Sequence, residues 1–205
     1  MAYLRSQGVI EKRDVLSLGG YRSNPDIVAA MTFSNPQILN LMAGEKGGIT
    51  VHHPSGEVVS IFDAAQRYRA SGTPLIVIAG ENYGCGSSRV MAATGPVALG
   101  VRAIVAKNFE SIHRGNLWQN GIAALCFQQG ESAEGFGFDG NETWDIPLDE
   151  LTAGSKTIKA KVSYDGGVTF VTLQVMLNSE QEFEFFRHGG AGLRELRDEL
   201  ANRPN

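Results

Sequence analysis

Apolar and polar positions change their period along the chain, and the changes predict alternating strands and helices. The stretch TPLIVIAG, residues 73–80, is continuously apolar and rich in β-branched residues, which predicts a strand buried on both faces. The stretches RAIVAK, residues 102–107, and IAALCF, residues 122–127, repeat this pattern. Helical signals separate the three runs, so we predict parallel strands joined by crossover helices.

Two predicted helices begin with a capping box, in which a Ser and an acidic residue three positions later satisfy the first N–H groups. In SIFDAAQRYRASG the box is formed by Ser60 and Asp63, and Gly72 ends the helix. Ser179 and Glu182 form the second box. Further helices are predicted over residues 34–42 with Asn35 as N-cap and Pro36 in the first turn, over 87–100 with an interruption at Gly95-Pro96, and over 109–121.

Two hairpins and a last helix complete the pattern. Residues 47–60 predict a hairpin that turns at Pro54-Ser55-Gly56, and residues 156–175 alternate around Asp165-Gly166-Gly167. The predicted fold is an α/β domain that spans residues 1–205, with a mainly parallel sheet flanked by helices and a C-terminal β-hairpin and helices. The last helix is amphipathic, with Leu193, Leu196 and Leu200 on one side.

Composition excludes several classes of protein. The chain has 205 residues, of which 42% are hydrophobic and 20% charged, as in an ordinary globular protein. Its net charge is -4, and Lys and Arg form no basic stripe, so neither a nucleic acid nor a membrane partner is favoured. The N-terminus lacks a signal-peptide core and no run of about 18 apolar residues occurs, which predicts a cytoplasmic location.

The two cysteines limit the chemistry that this chain carries by itself. Cys85 and Cys126 lie far apart and outside any CxxC spacing, so they supply neither a disulfide framework nor a complete iron-sulfur site. We expect Cys126 to be a buried hydrophobe. Cys85 lies in a glycine-rich loop, where we expect it to fill space; a reactive thiol is the alternative there. No metal is therefore expected on this chain.

The stretch GENYGCGSSR, residues 80–89, is the strongest candidate for a functional site. It follows a predicted buried strand and leads into a predicted helix, an arrangement that presents backbone N–H groups to anions at the carboxyl edge of a sheet. Glycines 80, 84 and 86 are expected to adopt positive φ and let the backbone approach a ligand. Ser87 and Ser88 offer hydroxyls, and Arg89 offers a two-point grip on a carboxylate or phosphate.

Other interpretations of this loop have less support. The spacing does not match GxGxxG, the Lys of a phosphate-binding P-loop is absent, and GxSxG does not fit. A nucleotide site and a serine hydrolase are therefore disfavoured. From the residues alone a purely structural alternative stays open, in which Ser87 caps the helix and Arg89 forms a surface ion pair.

Six motifs occur in order along the chain: YRSNPDIVAAMTFSN, EKGGITVHHPSGEVVSI, SIFDAAQRY, GENYGCGSSR, LGVRAIVAKNFESIHRGNL and FEFFRHGG. Together they resemble the swivelling C-terminal domain of the aconitase superfamily, most closely its bacterial aconitase A and cytosolic aconitase branch. The resemblance implies an aconitase-type swivelling domain. It also implies an enzyme, a hydro-lyase that dehydrates and rehydrates a hydroxy di- or tricarboxylic acid of the citrate type at a [4Fe-4S] cluster.

The resemblance also implies roles for particular residues. Ser87 would be the catalytic base, and Arg22, Ser88 and Arg89 would bind substrate carboxylates. A serine hydroxyl acts as a base only where N–H groups and cations stabilise its anion, which a glycine turn before a helix supplies. His113, in the IHR motif, is expected to orient its helix together with its neighbour Arg114.

The chain departs from the family's pattern at two places. Val90-Met91 follow the SSR motif where the family usually has acidic, aromatic or His residues, and Ala30 stands where the family has a second arginine. Loss of a buried cation beside a carboxylate costs roughly 2–5 kcal/mol of binding. The departures therefore favour a substrate with fewer carboxylates or an altered site.

The residues that hold the family's cluster lie in domains that this chain does not contain. We therefore expect an excised domain or a separate small subunit that is inactive without cluster-bearing domains or a large subunit. Three alternatives stay open: the small subunit of an isopropylmalate-isomerase type enzyme, an RNA-binding module, and a non-catalytic interaction domain. The first is disfavoured because the start of the chain lacks that subunit's usual DTD-containing segment.

Overall fold

The apolar runs form strands and the capped segments form helices in a computed structural model that describes residues 25–86 and 90–203. The helices are α1 (Pro25–Met31), α2 (Ile61–Ala70), α3 (Val90–Leu99), α4 (Ser111–Gln119), α5 (Ala133–Phe136), α6 (Glu180–Arg187) and α7 (Ala191–Ala201), with a 3₁₀ turn at Leu148–Glu150. The strands are β1 (Ile49–His52), β2 (Glu57–Ser60), β3 (Leu75–Ile78), β4 (Val101–Ala106), β5 (Ala123–Cys126), β6 (Thr143–Asp145), β7 (Thr157–Tyr164) and β8 (Gly167–Val175).

The main sheet of the described chain has six strands in the order β3-β4-β5-β8-β7-β6. β3, β4 and β5 are parallel, so that Ile104 of β4 lies between Val77 and Ala124. β8 pairs antiparallel with β5, and β7 and β6 follow antiparallel. The predicted α/β fold with flanking helices and a C-terminal hairpin is confirmed. Strand β8 of the hairpin pairs with β5, the last of the parallel strands, so the six-stranded sheet is mixed.

The hydrophobic core is centred on β4 and β5. Ile104 and Leu125 are fully buried, and Leu117 and Trp118 of α4 belong to the same cluster. The side chains of β3 are only half-buried. The expectation of burial on both faces is therefore wrong for β3, which is an edge strand within the described residues, although it holds for β5.

Ser60 and Ser179 cap their helices as predicted, each through the serine half of the capping box. The Ser60 hydroxyl accepts the Asp63 N–H at 3.0 Å, and the Ser179 hydroxyl accepts the Glu182 N–H at 3.2 Å. Each bond satisfies one of the N–H groups that a helix leaves without a partner at its start. The last helix, α7, also forms as predicted, and its three leucines are about half exposed within the described chain: Leu193, Leu196 and Leu200.

The predicted helix over residues 34–42 is wrong. These residues form successive turns, closed by a bond from the Ile38 N–H to the Asn35 carbonyl at 3.1 Å. The side chain of Asn35 also accepts the Gln37 N–H, and that of Asn40 accepts the Met42 N–H. Such local side-chain bonds offer the backbone an alternative to helical bonding, which explains the difference.

α3 is one continuous helix through Pro96, so the predicted interruption at Gly95-Pro96 is wrong. Gly95 lies against Thr32, and a Cβ at this position would overlap the Thr32 side chain. Thr32 in turn donates its hydroxyl to the Val28 carbonyl at 2.7 Å at the end of α1. The glycine therefore permits close packing of the end of α1 on α3 beside the proline.

Arg114 joins α4 to the segment between β8 and α6. Its guanidinium donates to both carboxylate oxygens of Glu182, at 2.9 and 2.8 Å, and to the Met176 carbonyl at 2.7 Å. The indole N–H of Trp118 donates to the same carbonyl at 2.8 Å. The expectation that Arg114 orients its helix is confirmed by these bonds.

Across residues 25–86 and 90–203, no helix has both the length and the apolar character that a membrane span requires.

We predict that Arg114→Met lowers the free energy of unfolding by about 2–4 kcal/mol, because a mostly buried carboxylate loses its charged partner. The Arg114 and Glu182 side chains are only 12% and 17% exposed. Urea denaturation measures the change. The control is Arg67→Met, whose ion pair with Glu57 has side chains 42% and 59% exposed, and which should cost much less because water screens an exposed pair. Equal losses in the two variants would contradict the prediction.

Candidate functional site

The candidate site is at the carboxyl edge of the parallel strands, where β3 passes into the glycine-rich loop. The parallel pairing continues past the ends of the strands: the Ala79 N–H donates to the Val105 carbonyl at 2.8 Å, and the Lys107 N–H donates to the Gly80 carbonyl at 3.0 Å. The loop therefore starts from a backbone that is held in register with β4.

The next anchor is a parallel bridge between Tyr83 and Phe109. The Tyr83 N–H donates to the Asn108 carbonyl at 3.1 Å, and the Glu110 N–H donates to the Tyr83 carbonyl at 2.9 Å. The Asn108 side chain also accepts the Asn82 N–H. These bonds tie the first half of the loop to the segment that connects β4 with α4.

Two of the three loop glycines adopt the left-handed region. Gly84 has φ 93° and Gly86 has φ 76°, whereas Gly80 does not have positive φ, so the expectation for Gly80 is wrong. A Cβ at Gly84 would overlap the ring of His113, while a Cβ at Gly86 would meet no atom within 4 Å. Gly84 is thus required by both its backbone conformation and its neighbour.

Glu110 caps α4 at the same place. Its carboxylate accepts the His113 N–H at 2.7 Å and the Ile112 N–H at 3.1 Å. These backbone hydrogen bonds hold the pKa of Glu110 below its ordinary value, chiefly through the bond from His113. Glu110 therefore joins the loop through its main chain and the helix through its side chain.

The aromatic groups beneath the loop are electrically neutral near pH 7. His113 is 2% exposed, and burial lowers its pKa although the nearby Glu110 carboxylate acts in the opposite direction. Burial raises the pKa of Tyr83 to about 12. The ring of Tyr83 lies 5.4 Å from that of His113 and 5.8 Å from that of Phe109, centroid to centroid. The floor of the loop is therefore a packed, uncharged aromatic cluster.

The residues predicted to bind and transform a substrate lie outside the described residues: Arg22, Ser87, Ser88 and Arg89. Their described neighbours in sequence belong to α1, which begins at Pro25, and to α3, which begins at Val90. These two helices pack against each other through Thr32 and Gly95. The N-terminal end of a helix attracts anions, so the start of α3 suits the predicted chemistry.

The cysteines do not form a cluster site within the described chain. Cys85 is exposed in the loop, whereas Cys126 is buried and its burial raises the pKa of its thiol to about 11. Among the described residues, no group of three or more His, Cys, Asp or Glu side chains is arranged to hold a metal ion. The described residues thus do not fit an iron-sulfur cluster, and the prediction for Cys126 as a buried hydrophobe is confirmed.

A cleft of about 430 Å³ opens beside α1 at Ala30, the position where the family's pattern has a second arginine. Ala30 of α1 lines the cleft, and so does the acidic side chain of Asp63 in α2. The small Ala30 leaves this space open. The remaining lining residues are small or aromatic: Thr32, Ser34, Gly48, Ser60 and Phe62.

The anchors of the loop were missed by sequence reasoning. Tyr83 and Asn108 act through main-chain and amide contacts that carry no periodic signal. Glu110 had a signal, since acidic residues are common in the first turn of a helix and the predicted helix began at residue 109. The contact of His113 with Gly84 depends on tertiary packing and has no local signature.

Comparison with known proteins gives a consistent result. The family model described as aconitase C-terminal domain matches residues 1–130. Aconitate hydratase A of Bacillus subtilis (strain 168) is 40% identical over 200 residues, which cover 97% of this chain and 22% of that protein. Aconitate hydratase A of Staphylococcus epidermidis (strain ATCC 12228) is 40% identical over 192 residues, or 92% of this chain and 21% of that protein. The chain therefore spans about a fifth of the length of these relatives.

Among solved structures, 3-isopropylmalate dehydratase from Methanocaldococcus jannaschii is similar with a TM-score of 0.40 and 18% sequence identity. The superposition covers 68% of this chain and 75% of that one.

We predict that Glu110→Gln destabilises the chain at neutral pH and that the difference from wild type shrinks in acid. The pKa of Glu110 is lowered in the folded chain, so its contribution is present above the ordinary value of about 4.5 and is lost as the pH falls through the lowered value. Urea midpoints at about pH 7 and about pH 3 measure this.

The matched control is Glu199→Gln on the exposed surface of α7, which removes one carboxylate and leaves the caps intact. A constant difference between Glu110→Gln and wild type at both pH values would show that the carboxylate does not act through the folded-state cap.

Proposed function

Because the chain belongs to the aconitase C-terminal domain family, we propose that it is the base-supplying, carboxylate-binding domain of an aconitase-like hydro-lyase. The observation that carries this proposal is the 40% identity to aconitate hydratase A along 97% of the chain. The anchored loop supports it, because the loop leads from the edge of a parallel sheet toward a helix. The same identity favours an aconitase-like role over that of an isopropylmalate-isomerase type subunit.

In this proposal Ser87 removes the proton from the carbon next to a substrate carboxylate. A serine hydroxyl has a pKa far above 7, so it needs N–H donors and cations to stabilise its anion. The positive φ of Gly84 and Gly86 and the helix that begins at Val90 support this role, since such turns direct main-chain N–H groups toward anions. In this proposal the guanidinium groups of Arg22 and Arg89 stabilise the negative charge that develops on the substrate.

Arg22, Ser88 and Arg89 bind the substrate carboxylates in this proposal. A guanidinium group matches the two oxygens of a carboxylate, which a lysine ammonium cannot do. Ala30 contributes no cation to the cleft that it lines, and Asp63 adds a negative charge there. We therefore propose a hydroxy di- or tricarboxylic acid of the citrate type as the substrate, and the missing cation favours one with fewer carboxylates.

The chain is proposed to act as one domain, residues 1–205, beside cluster-bearing domains or a large subunit. The described residues do not fit a [4Fe-4S] cluster, so such a group would be held by the partner and would supply the chemistry at the departing hydroxyl. The chain's own residues bind the substrate and move its proton. The isolated chain is accordingly expected to have no turnover.

The first test is Ser87→Ala in the chain assembled with its cluster-bearing partner. Removal of a general base is expected to lower kcat by about 10²–10⁴-fold, measured as hydration of an unsaturated di- or tricarboxylate. Ser71→Ala, at the exposed end of α2, is the matched control and should retain wild-type kcat. Unchanged turnover of Ser87→Ala would remove Ser87 as the base, and an inactive wild-type assembly would contradict the hydro-lyase proposal.

The second test is Arg89→Lys, which retains the positive charge and removes the planar two-point grip. We expect KM to rise by about tenfold or more, because the lysine makes a single weaker contact with the carboxylate. Arg102→Lys, at an exposed position of β4, is the control. The same KM in the two variants would exclude Arg89 as a carboxylate ligand.

A further inference from the structure

The ring of His113 lies directly against Gly84, in the part of the loop that precedes Ser87 in sequence. A Cβ at Gly84 would overlap three atoms of the histidine side chain: Cβ, Cγ and Cδ2. Gly84 also has φ 93°, a conformation that glycine adopts without strain. The backbone of the loop therefore rests on the imidazole with no side chain between them.

The imidazole cannot easily move away from this contact. His113 is 2% exposed, and its main-chain N–H is held by the Glu110 carboxylate at 2.7 Å in the first turn of α4. The ring of Tyr83 packs on it at 5.4 Å. Because packed interiors have little spare volume, a change at Gly84 must be absorbed by the loop and not by the ring.

The other hydrogen bonds of the loop either hold Tyr83, which precedes Gly84, or join one loop residue to another. The main-chain bonds of Tyr83 reach Asn108 and Glu110, and the Cys85 N–H donates back to the Asn82 carbonyl at 3.0 Å. Beyond Gly84, a Cβ at Gly86 would meet no atom within 4 Å. The His113 contact thus supports the loop at Gly84, three residues before Ser87 in sequence.

We infer that His113 is a positioning residue for the glycine loop: its buried ring and the bare Cα of Gly84 together set the path of residues 82–86. This inference rests on the proposed function in so far as the loop leads to the proposed base. It assigns to His113 no contact with substrate. Its consequence is that the ring and the glycine must act as a unit, so substitutions at the two positions are coupled.

The rate at which a reagent labels the Cys85 thiol reports the conformation of the loop. Cys85 is exposed and lies next to Gly84, whereas the chain's other cysteine, Cys126, is buried in β5 with the pKa of its thiol raised to about 11. A neutral-pH thiol reagent therefore labels Cys85 in the folded chain, and labelling of Cys126 reports global opening. In a Cys85→Ser chain only Cys126 can react, so this variant identifies the labelling rate of Cys126.

The experiment compares Gly84→Ala, His113→Ala and the double variant in the full chain, with Gly56→Ala as control. Gly56 also has positive φ, at 69°, but a Cβ there would meet no atom within 4 Å, so Gly56→Ala carries only the conformational strain. We expect Gly84→Ala and His113→Ala each to change the labelling rate of Cys85 by about tenfold or more with little change at Cys126. Gly56→Ala should leave both rates unchanged.

The double variant lacks the imidazole, so the loop can occupy the volume of the ring, although the Cβ of residue 113 remains. The change in Cys85 labelling should therefore be much smaller than the product of the two single changes. A change equal to that product would overturn the inference. Labelling of Cys85 at the wild-type rate in His113→Ala would also overturn the inference. This single variant is sufficient as a test if Gly84→Ala fails to fold.

These labelling rates need neither substrate nor a partner chain. They test the contact between His113 and Gly84 separately from turnover, so an inactive assembly with coupled labelling would contradict the proposed function alone. An active assembly with uncoupled labelling would contradict only the positioning role.

Discussion

The constraint on which the loop depends is the parallel bridge between Tyr83 and Phe109, which continues the geometry of the sheet beyond the ends of its strands. Glu110 lies at the centre of this arrangement, since its main-chain N–H binds the loop and its carboxylate caps α4. The loop and the helix are consequently fixed relative to each other by one residue. Gly84 can then lie close to His113 without a side chain of its own.

Elements with a strong local signal were predicted correctly from the sequence. The N-caps Ser60 and Ser179 form as predicted, and so do the hairpins, because the relevant bonds join residues that are close in sequence. The predictions failed where side-chain bonds compete with helical bonding and at a proline within a packed helix. The Asn35 side chain accepts the Gln37 N–H in a turn where a helix was predicted, and α3 continues through Pro96 while Gly95 packs on Thr32.

The candidate site was predicted only in part. Its place in the chain and the glycine conformations at 84 and 86 follow from turn-forming residues after a buried strand. The supporting contacts do not, because His113 and Glu110 reach the loop through the fold and no pattern of spacing records that. The roles of Ser87 and Arg89 came from resemblance to a family, which describes chemistry that packing alone does not specify.

The bonds of Arg114 show how far the cooperative unit of this chain extends. The match to the family model stops at residue 130, yet the guanidinium reaches forward to Met176 and Glu182. A protein cut at residue 130 would leave β5, an entirely apolar strand, with one edge unpaired. It would also leave the mostly buried guanidinium of Arg114 without the carboxylate of Glu182. The match to the family model is thus shorter than the unit that these contacts join, and a chain cut at residue 130 would expose an apolar strand edge of the kind that promotes aggregation.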